Sequence, residues 1–231
     1  MPIDVKLLHL CDSLFPLGGF GYSDGLEAAA TVRPKPDVTG TSVELLRAWL
    51  DVCLDETIGR FEGPVVRRAW DACADARWDD LVALDDAMTA MRPASAVRTS
   101  TRAMGLRLAK TWQTLYPDAR LRHALDLAAS GAVAPTLPVA FGIVCRSADV
   151  DAASAMESYA YTRLASTISA AMRLMPIGQT DAHRLLARAL DRVPRVVRAI
   201  VDEDRQPESF APMMDIAAMT QPHLHSRLFR S

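Results

Sequence analysis

The side chains able to do metal or acid-base chemistry are few and dispersed. Five histidines, His9, His123, His183, His223 and His225, are spread along 231 residues, and only the last two stand close, at i,i+2. Two imidazoles so placed could coordinate a borderline metal such as nickel, but without a third ligand or a carboxylate they make a weak site. The four cysteines, Cys11, Cys53, Cys73 and Cys145, include no C-x-x-C pair. That excludes a zinc knuckle and a dithiol redox motif, and the thiols read as small, reduced core residues. No Ser, Cys or Lys stands in a motif with a base. One catalytic alternative remains at this point, an enzyme or small-ligand binder on a helical bundle with a buried histidine, His9 or His183, in its pocket. Asp79, Asp80, Asp85 and Asp86 lack the spacing and glycine of a calcium loop and read as a solvated helical face.

The densest local chemistry lies in LLHLCDSLFPLGGFGYSDGLEAAA, residues 7–30. Its glycines precede a helix start, which could cradle phosphate, but Phe, Tyr and Asp follow where a P-loop needs Lys and Ser or Thr. The stretch therefore reads as helix, structured apolar loop and second helix, broken by Pro16 and by Gly18, Gly19 and Gly21. Ser23 or Asp24 is the expected N-cap of the second helix, with Glu27 near capping-box spacing. A second candidate surface is basic. Arg184, Arg188, Arg192, Arg195 and Arg198 recur every three or four residues along a helical pattern opposite Leu185, Leu186, Leu190, Val193, Val197 and Ile200. Such a stripe either solvates a helix or contacts an acidic partner.

The elements that must carry these groups are helical. Leu46, Leu50, Cys53, Leu54, Ile58 and Phe61 keep helical spacing in one long helix starting at Thr41 or Ser42, which Gly63 and Pro64 should end. A polar, proline-broken link precedes it at residues 33–37. Further amphipathic helices are expected near 65–75, 79–91 and 93–116, the last with Gly105 in its interior. A mid-helix glycine is unfavourable by about 1 kcal/mol relative to alanine and marks close packing. Residues 151–175 carry only Glu157, Arg163 and Arg173 as charges after Asp151, with many Ala and Ser, and should form a central apolar helix. Pro194 should kink or restart the arginine-bearing helix. No stretch alternates as a strand would. The expected fold is all-α, a single globular domain of about ten helices over residues 1–231, with a C-terminal arm at about 220–231.

Composition narrows the function classes. Apolar residues make up 50% and charged residues 23%, and 26 basic against 28 acidic residues give a net charge of −2. No basic excess points to nucleic acid, no single-signed field points to a membrane surface, and no signal peptide or spanning run is visible. A cytoplasmic protein is expected.

The run L-x-L-x-D-S-x-x-P-x-G-x-F-x-x-S-x-G-L-E, supplied by Leu8, Leu10, Asp12, Ser13, Pro16, Gly18, Phe20, Ser23, Gly25, Leu26 and Glu27, resembles the N-terminal signature of the UreF family of urease accessory proteins. Three further blocks resemble the same family. They are Arg98, Thr101, Met104 and Gly105; Arg173, Leu174, Gly178 and Gln179; and a C-terminal pattern of Asp215, Ile216, Met219, Ser226, Arg227, Leu228, Phe229, Arg230 and Ser231. Tyr22 and Asp24 depart from the family's usual His-Ser-Gly-Gly, and Thr136 stands where the family places a histidine two residues before Pro138. The resemblance implies an all-α homodimer without catalysis or a resident cofactor, with nickel only in transit. It implies binding of UreD (UreH), recruitment of the GTPase UreG, and assembly on apo-urease. Partner contacts are expected at Gly18, Gly19, Phe20, Tyr22, Glu27, Arg188, Arg195, Arg227, Leu228 and Phe229. The loop and the tail are expected to lie outside the core, so that deleting residues 221–231 leaves the melting transition nearly unchanged.

Overall fold

Helical periodicity in the sequence becomes, in the computed structural model, twelve α-helices and no strand among the described residues, 4–32 and 39–230. The proline-broken link at 33–37 lies outside the described residues. In chain order the helices are α1 (Val5–Cys11), α2 (Leu26–Val32), α3 (Thr39–Val52), α4 (Gly63–Ala74), α5 (Trp78–Ala90) and α6 (Ser95–Leu115). They continue with α7 (Ala119–Ala129), α8 (Leu137–Ser147), α9 (Ala152–Leu174), α10 (Gln179–Leu190), α11 (Val193–Asp202) and α12 (Pro212–Thr220). One continuous hydrophobic cluster runs through them, from Leu10 to Phe229.

Two helices share the central role expected of residues 151–175. Every residue of α8 from Leu137 to Cys145 is buried, so α8 is the helix enclosed on all sides. The longer α9 touches α1, α2, α3, α4, α8, α10 and α11 and organises the bundle, yet part of its surface is wet, including Glu157 and Tyr161.

Close packing around α8 depends on two glycines. A Cβ on Gly142 would sit 2.4 Å from the Val66 carbonyl of α4, and one on Gly105 of α6 would sit 2.2 Å from the Pro135 carbonyl in the approach to α8. Gly105 therefore marks a backbone-to-backbone contact, as its place in mid-helix suggests. The same approach is held by side chains. Thr101 Oγ1 accepts the Leu137 N–H at 3.1 Å, while one oxygen of Asp85 accepts the N–H and the hydroxyl of Thr136, both at 2.8 Å. Asp85 is thus a correction to the solvated acidic face. Only 1% exposed, it secures the start of α8, and burial raises its pKa above the ordinary aspartate value.

Gly63 and Pro64 do not end the helix begun by α3. The chain stays helical through them because Cys53–Glu62 winds as a π-helix, in which the Gly63 N–H bonds to the carbonyl of Ile58, five residues back. The wider turn accommodates a proline that would break a regular ladder. It also presents Gly59 and Gly63, one turn apart, to α11. A Cβ on Gly59 would lie 3.0 Å from Val196, and one on Gly63 2.7 Å from Ile200. Pro194 restarts rather than kinks the arginine-bearing helix, since α10 and α11 are separate and Arg192 sits between them.

Candidate functional site

The N-terminal loop and the C-terminal tail, the two segments with the most distinctive sequence, meet on one face. Asp12 leaves α1 in an extended conformation and accepts the Leu14 N–H at 2.7 Å, turning the chain so that Phe15 enters the core. Gly18 takes a φ of 75°, residues Gly19–Gly21 make one 3₁₀ turn, and Asp24 and Gly25 take φ values of 50° and 93° before α2 begins. Gly25 has no room for a side chain, because a Cβ would lie 2.6 Å from the backbone nitrogen of Ala218 in α12. Ser23 is the capping residue, its Oγ accepting the Glu27 N–H at 3.4 Å.

Beyond α12 the chain makes a 3₁₀ turn at Gln221–His223 and runs out along the loop. Gln221 is fully buried, and its side-chain oxygen accepts the Ser23 hydroxyl and the Gly25 N–H, each at 2.9 Å. Glu27 accepts the backbone N–H groups of Leu228, at 2.5 Å, and of Phe229, at 3.1 Å, and the Gln221 amide donates to it at 3.4 Å. The Arg230 N–H donates to the Gly21 carbonyl at 2.8 Å. Arg173, from the end of α9, donates to the Phe20 carbonyl at 2.8 Å and lies between two rings, 4.0 Å from the centroid of Phe20 and 4.3 Å from that of Phe229.

Beneath this face lies an ionic cluster centred on buried Glu62, with Arg92, Arg163 and Asp24 half-buried around it. Glu62, at the end of the π-helical segment, accepts hydrogen bonds from Arg92, from the Tyr159 hydroxyl at 3.0 Å and from Arg163 Nε at 3.1 Å, while Arg163 also pairs with Asp24 at 2.7 Å. Two carboxylates and two guanidinium groups balance. Burial opposes ionisation of Asp24, but Arg163 and Arg92 overcome it and hold its pKa below the ordinary value. The same two carboxylates push Arg163 well above the usual arginine range despite its burial.

The expected contact residues divide in three. Phe20, Arg227, Leu228 and Gly18 are exposed, and Gly19 and Tyr22 are half-buried. Glu27 and Phe229 are a correction, being 5% and 3% exposed, because they hold the loop and the tail together and are closed to an outside partner in this conformation. Arg188 and Arg195 are exposed on α10 and α11 without an ion partner among the described residues, but the stripe is not uniform. Arg192 bridges Asp51 and Asp55 on the helix begun by α3, and Arg184 pairs with Asp181 on its own helix.

His223 and His225 are exposed, and no group of three or more His, Cys, Asp or Glu among the described residues is arranged to hold a metal. The buried-histidine alternative is overturned. His183 is exposed on α10, and His9 is exposed with its Nδ1 3.0 Å from the Tyr116 hydroxyl. The cysteines are packing residues: Cys53, Cys73 and Cys145 are buried, and burial pushes Cys11 and Cys73 up to about 11 and Cys53 to about 12. All stay protonated thiols at neutral pH.

Glu62, Arg92 and Gln221 are site residues without a signal in the sequence, and Asp24, expected only as a cap, takes its ionic role from Arg163. Their roles depend on partners 30 to 198 positions away. Arg163 and Arg173 did leave a signal, as lone cations in a long apolar helix. Burial of the tail also revises the expected effect of its removal. Deleting residues 221–231 strips Glu27 and Ser23 of buried partners and uncovers Phe229's site in the core, so a lower urea midpoint is now expected, by roughly 2–4 kcal/mol of stability. An unchanged midpoint would return the tail to the surface.

Comparison with known proteins gives this face a context. The UreF family profile matches residues 41–190. The chain belongs to the UreF family. It is 30% identical over 227 residues to the urease accessory protein UreF of Nitrosococcus oceani, covering 97% of both chains. It is 33% identical over 228 residues to the urease accessory protein UreF of Rhodopseudomonas palustris strain BisA53, covering 98% of this chain and 92% of that one. The protein of the same name from Polaromonas sp. is 29% identical over 231 residues. The profile ends before the tail and begins after the loop, whereas the similarity to the relatives covers nearly the whole chain. Against the UreF pattern, Asp24 is an informative departure. It tolerates a positive φ that usually selects glycine and adds a carboxylate to Arg163.

Proposed function

We propose that this UreF-family protein is a urease accessory protein, a scaffold that binds UreD (UreH) and recruits the GTPase UreG so that nickel can be delivered to apo-urease. The observation that carries this reading is similarity along nearly the whole chain to proteins named urease accessory protein UreF. In it the chain performs no catalysis, nickel is cargo of the assembly rather than a resident cofactor, and the working form is a cytoplasmic homodimer. No helix of the described residues is long and apolar enough to cross a membrane. Exposed Phe20, Arg227 and Leu228 supply an aromatic, a cation and an aliphatic side chain from the loop and the tail, a composition suited to a protein partner. Co-expression with UreD and UreG, followed by size-exclusion chromatography and nickel analysis, tests the reading. A stoichiometric complex is expected, and a chain that elutes alone under those conditions would refute it.

Arg188 and Arg195 are the second contact surface in this reading. Exposed charges contribute about 0 to 1 kcal/mol to folding, so Arg188→Glu with Arg195→Glu should leave the melting transition in place. Like charges across an interface are strongly unfavourable, so the same variant should lose self-association or GTPase recruitment. Light scattering and pull-down check this, and unchanged mass with unchanged recruitment would assign both arginines to solvent.

A further inference from the structure

We infer that the N-terminal loop, residues 18–25, and the C-terminal strap, residues 212–230, open and close as one unit, separately from the rest of the bundle. The inference goes beyond the proposed scaffold role and does not depend on it.

The strap is held in an unusual way. Its helix α12 turns alanines inward, with Ala217 and Ala218 at 9% and 6% exposure, and large apolar side chains outward, with Met213 at 75% and Ile216 at 56%. Apart from Phe229 and the half-buried Met214 and Leu224, hydrophobic burial therefore holds it weakly. What holds it is a set of directional ties, namely Gln221 to Ser23 and Gly25, Glu27 to Leu228 and Phe229, and the Arg230 N–H to Gly21. Each of these ties ends on the loop or on the first turn of α2, and the strap's hydrogen bond to the π-helical segment is a weak one, from the Thr57 hydroxyl to the Met214 sulfur at 3.7 Å.

The loop depends on the same ties. Its internal backbone bonds are short-range, Tyr22 to Gly19 at 3.1 Å and Leu26 to Ser23 at 3.0 Å, and it carries positive φ at Gly18 and Asp24. Its anchors to α9 are Arg173 to the Phe20 carbonyl and Arg163 to Asp24. Arg173 is itself shared, since its guanidinium stacks on Phe229 of the strap. When the strap leaves, the loop loses three hydrogen bonds and one side of the Arg173 stack, and a short segment with strained backbone has little left to order it. Segments nearly 200 residues apart in sequence, bonded from Ser23 to Gln221, thus form one cooperative element.

Native-state hydrogen exchange on the full chain tests this. Tyr22 and Leu26 are the reporters, because their amide bonds lie inside the loop and survive if the strap leaves alone. In the unmodified protein at low guanidinium concentrations, these amides and those of α12 should share one opening free energy and one denaturant slope, below those of α8. Gln221→Ala, which removes the shared carboxamide, should speed exchange of both sets by the same factor, about tenfold, and leave α8 unmoved. Phe229→Ala, which touches no loop hydrogen bond, should do likewise. Faster exchange confined to the strap, with Tyr22 and Leu26 unchanged, would overturn the inference. So would distinct isotherms in the unmodified protein, a measurement that stands even if a variant fails to fold.

Discussion

Glu62→Ala should destabilise the protein by about 3–5 kcal/mol, far more than any exposed ion pair in the structure would show. The carboxylate is 3% exposed and is the common acceptor for Arg92, Tyr159 and Arg163. Removing it leaves the Tyr159 hydroxyl buried without a partner and two guanidinium groups sharing only Asp24. Breaking a buried pair from one side is costly because the remaining charge keeps its desolvation penalty. Arg60→Ala is the control, since its pair with Glu208 is exposed on both sides and should contribute little. Urea unfolding of the two variants checks the contrast, and equal midpoints would mean that the cluster contributes no more than a surface pair. The pH dependence has a definite sign. The pKa of Asp24 is lowered by folding, so its contribution is complete above the unfolded value and is lost as pH falls through the lower folded one. Asp24→Asn should flatten that part of the acid limb.

The second large effect is expected at Gly105. Gly105→Ala gains roughly 1 kcal/mol of helix propensity in isolation, yet here it should destabilise by about 2–3 kcal/mol net. The added carbon would meet the Pro135 carbonyl at 2.2 Å and two backbone atoms of Thr136 within 2.7 Å, and backbone cannot rotate aside. Relief requires α6 to move away from the entry of α8, which stretches the Thr101 bond to Leu137 and shifts the Thr136 groups that Asp85 holds. Gly178→Ala provides the comparison. Its φ of −68° suits any residue and its nearest neighbour is an Asp181 oxygen at 3.8 Å, so a change within about 1 kcal/mol is expected. Thermal melts of the two variants side by side distinguish helix propensity from packing, and a stabilised Gly105→Ala would show that the approach is looser than described.

Much of the helical framework was legible in residue order. Apolar positions in the helix begun by α3 and in α10 and α11 repeat with the helical period, and Leu46, Leu50, Leu54, Ile58, Leu185, Val197 and Ile200 are all buried as that period requires. Pro194 and the Pro176–Thr180 stretch separated neighbouring helices as proline and glycine do. The four family-like blocks, spread from residue 8 to the C-terminus, were likewise readable, because fixed spacing of residue types needs no coordinates.

Gly63 and Pro64 show where local rules were overridden. Both residues favour a helix end, but the loss of one donor was absorbed by the wider π turn and by the packing of Val196 and Ile200 into the two glycine positions. Asp85 shows the same for charge, since four aspartates in eight residues read as solvent-facing until Thr136 supplies two donors from another segment.

By itself, then, the sequence determined the helical class, most of the boundaries set by proline and glycine, the lack of a C-x-x-C motif and the family pattern, all of which depend on residues near one another in the chain. Tertiary structure alone decided which charges are buried together and which surfaces stay open. Glu62 meets Arg163, Gln221 meets Ser23 and Phe229 meets Arg173 only after folding, and the cost of desolvating each group depends on a partner that no local spacing reveals.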